Sequence, residues 1–301
     1  MYFYAVMQEV LKITNLSKSY GRIKAVRELS LTVFQGQVLG LLGPNGSGKT
    51  TTLSMILDVV KPDSGSYSWF GGEKGTVSRK QIGTLLEKPN FYPYLSALKN
   101  LEITCSIKEK GWENIENVLK QIGLYHRRNS NVKGFSTGMK QRLAIAAALV
   151  TDPDILILDE PTNGLDPKGI ADIRDLISEI ASQGKTIILA SHLLDEVEKI
   201  CTDVAVMKNG QLLELRTLRS QEKSKIRVIE LATENKLNLK DILVQMKGVR
   251  VLKRLNSLWV VETKKPAQEI NRMLAERGIY LTHLRERKKT LEEEFLELTN
   301  Q

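Results

Sequence analysis

Nine consecutive residues, Gly43-Pro44-Asn45-Gly46-Ser47-Gly48-Lys49-Thr50-Thr51, have the types and spacing needed to hold a polyphosphate. Glycine has no Cβ, so Gly43, Gly46 and Gly48 can take positive φ and turn backbone N–H groups inward around an anion. Lys49 has the reach and charge to meet β- and γ-phosphates, and the Thr50 hydroxyl is a hard oxygen donor for the Mg²⁺ that bridges them. A glycine turn that binds nothing is the alternative, but at ordinary glycine usage this pattern matches by accident in roughly one chain in a hundred. Nucleotide binding is therefore the expectation, with ATP and Mg²⁺ as the ligands. Further on, Asp159 and Glu160 close an uninterrupted apolar run, as happens where a central parallel strand ends beside its ligand. Asp159 can hold the metal's water shell, and Glu160 is placed to accept a proton from an attacking water. His192 follows another apolar run and can bond the γ-phosphate or serve structure alone. Ser136 and Gly138 head a helical pattern that runs through Leu149, which suits an anion or an ordinary N-cap. Tyr20, about two dozen residues before the glycines, can stack on an adenine ring or simply pack.

These residues need a scaffold, and the pattern around them supplies one. Residues 38–42 read as a buried strand and 52–60 as the helix after it. Before them, 10–16 alternates like an edge strand that Ser17-Lys18-Ser19-Tyr20-Gly21 breaks, and 29–34 is a second strand. Lys61 to Gly65 turns the chain into short strands at 66–70 and 82–86, and an aromatic, proline-rich loop leads on to Tyr94. From 97 to 150 the spacing is helical, interrupted at 128–131, which marks an inserted helical subdomain. Asp166 caps the next helix with Pro167 in its first turn, Gly184 ends it, and Ile170, Ile173, Ile177 and Ile180 are its expected buried face. A strand at 186–190 follows, then a hairpin of strands 203–208 and 211–215 around Asn209-Gly210. Beyond residue 217 the order is strand 226–231, helix 239–246, strands 249–253 and 258–263, helix 267–276 and strand 279–284, a split-βαβ, ferredoxin-like pattern. Thr290 and Glu293 form a capping box for a last helix carrying Leu291, Phe295, Leu296 and Leu298.

Composition narrows the function classes. The chain has 301 residues, 42% apolar and 26% charged, which fits a soluble globular protein of about two domains. No apolar run approaches the ~20 residues that cross a bilayer, so work at a membrane would need another chain to span it. Cys105 and Cys201 form no CxxC or pairing pattern, which suits a reducing compartment. His126, His192 and His283 lie far apart, leaving no metal-ligand cluster. The net charge is +9, about two thirds of it after residue 217 and without interleaved aromatics. A solvated basic surface is favoured over nucleic-acid binding. Residues 1–7 are apolar, lack basic residues and are too short for a signal peptide; they read as an extension, with Met7 an alternative start.

Taken together and in this order, the motifs over roughly residues 8–217 resemble the ATP-binding cassette (ABC) ATPases. Ser136-Thr137-Gly138-Met139 occupies the signature, Gly164-Leu165-Asp166 the D-loop, and His192 the switch histidine. The resemblance implies an α/β fold, a P-loop NTPase of ABC type. It would have a mixed sheet core, an antiparallel β subdomain and a helical subdomain at about 88–150, with a small α+β domain at 218–301. It also implies sites shared between two chains. The signature of one cassette closes on ATP held by the P-loop of another, Asp166 crosses the interface, Tyr20 stacks on adenine, and Glu160 is the general base. Two departures stand out. The usual signature is Leu-Ser-Gly-Gly-Gln, whereas Phe135, Thr137 and Met139 differ here. Glu87 stands where the family has a glutamine linking Mg²⁺ to the membrane partner; a carboxylate binds Mg²⁺ at least as well but cannot donate a hydrogen bond. Both departures resemble the bacitracin-resistance and lantibiotic-immunity branch, and the C-terminal segment is similar to the accessory domain of exporter cassettes. The implied protein is an ATP-hydrolysing subunit, paired with a second copy or a paralogous cassette, that drives a separate membrane permease. It would be cytoplasmic and peripheral on the inner face of the membrane, with no nucleic-acid partner. A soluble cassette ATPase acting on ribosomes or DNA is the alternative, but such proteins carry two cassettes or a long coiled-coil insertion, and neither is present. A regulatory ATP switch would require a damaged Lys49, Glu160 or His192, and all three are intact.

Overall fold

A computed structural model describes residues 8–72, 80–86, 90–218, 227–234 and 239–287. Strands β1 (Glu9–Tyr20) and β2 (Ile23–Phe34) form a long antiparallel hairpin, followed by β3 (Val38–Leu42), helix α1 (Lys49–Ile56) and β4 (Ser64–Trp69), which returns to pair with β1. The expected break at Ser17 to Gly21 comes only at its last residue: Ser17 to Tyr20 stay in β1, and Gly21, at φ 58°, makes the turn. The ladder there is bulged, but two side chains replace its lost bonds: Ser17 Oγ accepts the Glu28 N–H (2.9 Å), and Asp63 accepts from the Ser19 N–H (2.7 Å) and the Lys18 ammonium (2.8 Å). Polar residues that read locally as a turn are thus held extended by distant partners.

The chain continues through β5 (Ile82–Leu85), α2 (Ala97–Lys108), α3 (Ile115–Gln121), α4 (Thr137–Leu149), β6 (Ile155–Asp159), α5 (Pro167–Ser182), β7 (Thr186–Ser191), α6 (Leu194–Ile200), β8 (Asp203–Lys208) and β9 (Gln211–Thr217). The second sheet is ordered β5-β6-β7-β3-β8-β9, parallel except for the last pair. Strands β3, β6 and β7 are buried at every residue. That is why they read as continuous hydrophobic runs, since both faces are covered. The buried stripe of α5 is Ile173, Leu176, Ile177 and Ile180; Ile170, in its first turn, is only half-buried, so Leu176 takes the place expected of it.

The chain divides after Leu218 into two compact units. The second contains β10 (Arg227–Ala232), α7 (Leu239–Gln245), β11 (Val249–Leu255), β12 (Leu258–Thr263), α8 (Ala267–Ala275) and β13 (His283–Arg287). Its sheet order, β11-β12-β10-β13 with every neighbouring pair antiparallel, is that of the split-βαβ arrangement. Ile229, Leu231, Leu243, Val261, Ile270 and Leu274 form its core. The last strand starts later than the pattern at 279–284 suggests. Gly278, at φ 73°, ends α8 in a Schellman turn, with the Ile279 N–H donating to the Leu274 carbonyl (3.0 Å). Ile279 therefore packs as the apolar plug of a helix end and not as a strand residue. The capping box at Thr290 and Glu293 lies outside the described residues.

Among the described residues no helix is long and apolar enough to cross a membrane. Both cysteines are free and buried. Burial pushes the Cys201 thiol far above the usual range, with Asp203 adding to it, and raises Cys105 as well, with Glu113 contributing. Thiolate is the reactive form, so neither should react in the folded protein. Titration with a chromogenic disulfide at pH 8 is expected to give no fast equivalents in buffer and both cysteines in denaturant.

Candidate functional site

Helix α1 starts at Lys49 because Gly48, its N-cap, sits at φ 104°, ψ 4°, a conformation open mainly to glycine. A Cβ there would run into the Ala25 carbonyl of β2. Pro44, Asn45 and Gly46 form an exposed crest, while Ser47 and Gly48 are buried beneath it. Lys49, 5% exposed, curls over the loop, and its ammonium donates to the carbonyls of Gly43 (2.7 Å) and Pro44 (3.3 Å). Thr50 and Thr51 follow in the first turn, and the Thr50 hydroxyl donates to Asp159 Oδ2 at the end of β6 (2.7 Å).

The next residue, Glu160, has φ 48°, and its N–H donates to the Ala190 carbonyl of β7 (2.9 Å). A left-handed glutamate costs on the order of 1–3 kcal/mol, strain of the kind that accumulates at functional sites. Here it turns the side chain off the line of the strand. The carboxylate comes 3.6 Å from the Lys49 ammonium and 2.7 Å from His192 Nδ1, just past the end of β7. Lys49, Thr50, Asp159, Glu160 and His192 thus converge at the C-terminal ends of adjacent strands. Thr50 and Asp159 together present hard oxygen donors, the set a divalent cation such as Mg²⁺ prefers.

The remaining expected residues lie apart. Ser136, Thr137, Gly138, Met139 and Asp166 line a second cleft of about 550 Å³, whose lining includes none of the five converging residues. Ser136 caps α4 by accepting the Met139 N–H (3.2 Å), and Asp166 caps α5 by accepting the Gly169 N–H (3.0 Å). A Cβ on Gly138 would meet nothing nearer than Leu165 at 3.9 Å, so packing within the chain does not demand glycine there. Arg142, which sequence reading did not single out, joins α4 to α5 through Asp172 (2.5 Å) and reaches the Ile122 carbonyl (3.4 Å). No local pattern signals a pair thirty residues apart. Tyr20 stands half exposed at the end of β1, with the Lys18 ammonium 5.7 Å from its ring centroid. Glu87, the expected metal and coupling residue, lies outside the described residues.

The family profile described as ABC transporter matches residues 26–163. The bacitracin transport ATP-binding protein BcrA of Bacillus licheniformis is 37% identical over 309 residues, covering 97% of this chain and 98% of that protein. The chain belongs to the ATP-binding subunits of ABC transporters. The lantibiotic transport ATP-binding protein SrtF of Streptococcus pyogenes is 39% identical to the cassette over 204 residues, 68% of this chain and 89% of that one. Among solved structures, CbiO1 of Clostridium perfringens, part of an ABC transporter complex, is 29% identical with a TM-score of 0.63, covering 72% of this chain and 92% of that one. A dimeric cassette in a post-hydrolysis state with ADP and Pi is 28% identical at TM-score 0.63, covering 70% and 99%. The cassette is accordingly an ATP-hydrolysing subunit coupled to transport, and its fold is the α/β P-loop fold of that family.

Proposed function

We propose that two cassettes, either two copies of this chain or this chain and a paralogue, enclose two ATP molecules and drive a separate membrane permease, in the direction of export. The observation that carries this reading is the convergence of Lys49, Thr50, Asp159, Glu160 and His192 while the signature residues line a different cleft. A signature that lines a cleft apart from its own P-loop cluster is free to serve another chain's. Gly138 supports this: nothing inside the chain crowds it, so an approaching phosphate supplies the reason for glycine.

In the proposed cycle the Lys49 ammonium leaves the Gly43 and Pro44 carbonyls for the β- and γ-phosphates, which frees Glu160 from its pairing. Glu160 then accepts the proton of the attacking water, held in aim by the His192 N–H. His192, on its remaining edge, would sense and hold the γ-phosphate. Tyr20 stacks on adenine, Ser136 to Met139 of the partner cassette meet the γ-phosphate, and Asp166 crosses between them. Thr50 and Asp159, with Glu87, would hold Mg²⁺. Bound there, the ion would neutralise charge developing on the phosphates. The loop from Glu87 to Tyr94 is the proposed coupling surface, with the cassette seated on the permease at the cytoplasmic face and the C-terminal unit an accessory domain. Relatives named for bacitracin and lantibiotic transport support export over uptake.

The test is purification of the tagged protein from gently solubilised native membranes, with ATPase assayed with and without what co-purifies. A polytopic membrane protein that raises turnover is expected. Sedimentation with ribosomes or nucleic acid, and no membrane partner, would overturn the transport reading.

A further inference from the structure

Asn100 lies on the buried stripe of α2 with Ala97, Leu101 and Cys105, and is 4% exposed. A polar side chain belongs there only if its hydrogen bonds are made. They are all made to one loop: Oδ1 accepts the Tyr92 N–H (2.8 Å), and Nδ2 donates to the carbonyls of Tyr92 (3.1 Å) and Ser96 (2.9 Å), with Leu95 at 3.5 Å. The same loop is bonded through its backbone to the segment that precedes the signature. The Lys133 N–H donates to Pro93 (2.8 Å), Val132 to Leu95 (3.0 Å), Ala97 to Ser130 (3.2 Å) and Leu98 to Arg128 (2.9 Å). Ser96 and Asn131 face each other as an isolated antiparallel bridge. A 3-10 turn at Val132–Gly134 then leads directly to Phe135 and the Ser136 cap. On the outside of the loop, Tyr92 and Tyr94 are exposed and packed edge to face, with centroids 6.0 Å apart.

We infer that Asn100 is a positioning residue that makes the loop at 92–96 and the segment at 128–136 move as one body. A load applied at Tyr92 and Tyr94 then reaches Ser136 and Gly138. The inference rests on the reading that a permease drives the signature onto a partner's ATP. The amide does this because it supplies donors and an acceptor together: alanine would leave the loop carbonyls and the Tyr92 N–H unmatched, and aspartate would set a carboxylate against the two carbonyls it now bonds. The signature keeps its own Ser136 cap in either case, so the chemistry of the unstimulated cassette is left alone.

The test compares wild type, Asn100→Ala and Asn100→Asp in the purified complex with its membrane partner. Permease stimulation of ATPase is expected to fall by at least about fivefold, the lower end of typical coupling between sites. Activity without the permease, and KM for ATP, should change little. A second variant separates coupling from general damage. Ser96→Cys with Asn131→Cys in the Asn100→Ala background joins the facing bridge pair, whose close antiparallel spacing suits a disulfide. Stimulation should return on oxidation and vanish on reduction, and the buried native thiols stay out of the exchange. Undiminished stimulation in both single variants would overturn the inference. So would a parallel fall of basal rate, stimulation and melting temperature with no oxidative rescue, since that marks Asn100 as structural only. An unstimulated wild-type complex would instead defeat the transporter reading, and the inference with it.

Discussion

A Glu160→Gln cassette is expected to bind ATP about as well as the native protein and to hydrolyse it about 10² to 10⁴ times more slowly, the contribution of a positioned general base. The amide has the same shape and can still accept from His192 Nδ1, which lies 2.7 Å from the carboxylate. It can no longer take a proton from water. It also releases Lys49, whose ammonium is 3.6 Å from the carboxylate, so nothing in the change works against nucleotide binding. Binding without turnover should leave two cassettes closed on their ATP. Single-turnover assays and ATP-dependent gel filtration read the two effects separately. Hydrolysis at the native rate would remove Glu160 from the role.

The converging cluster was largely legible because each of its members lies in a recognisable local pattern, although the members are far apart in the chain. Glycines spaced around Lys49 and Thr50 can do little else, and β3, β6 and β7 are continuous apolar runs because they are buried on both faces. An acid or histidine at the end of such a run stands at the C-terminal edge of the sheet, where a ligand of an open α/β sheet is expected. What could not be read depends on residues far apart in the chain. Ser17 to Tyr20 stay in β1 because Asp63 and Ser17 itself supply bonds that the local pattern does not show. The left-handed turn at Glu160 follows from the Ala190 carbonyl on the neighbouring strand. Ile279 looks like the start of a strand until Gly278 is seen to close α8. Asn100 did carry a signal, a polar residue on the apolar stripe of a helix, yet its partners are in a loop that no helical period describes. The signature shows the limit of a single chain: Ser136 is an ordinary N-cap in its own molecule.

Gly48→Ala should fail at an earlier step, by losing ATP and not merely its hydrolysis. At φ 104° a side chain is strained wherever it points, and here it also points into the Ala25 carbonyl, with the Val26 side chain at 3.3 Å. These are β2 groups held in a paired strand, so they cannot swing aside as a flexible side chain would. Either β2 shifts or the loop opens, and an open loop no longer turns its N–H groups on the phosphates. Gly46 provides the control. Its φ is 80°, but a Cβ there meets nothing in the chain within 4 Å. Gly46→Ala therefore carries only the left-handed penalty of about 1–2 kcal/mol, which costs roughly tenfold in affinity where the empty variant loop relaxes out of that conformation. Any loss beyond that measures how closely phosphate approaches the crest. Calorimetric titration with ATP should rank wild type beside Glu160→Gln, then Gly46→Ala, then Gly48→Ala with no measurable binding, while thermal melts show all four folded. Native affinity in Gly48→Ala would mean that the loop binds ATP in some other conformation, and the placement of Lys49 and Thr50 at the head of α1 would lose its basis.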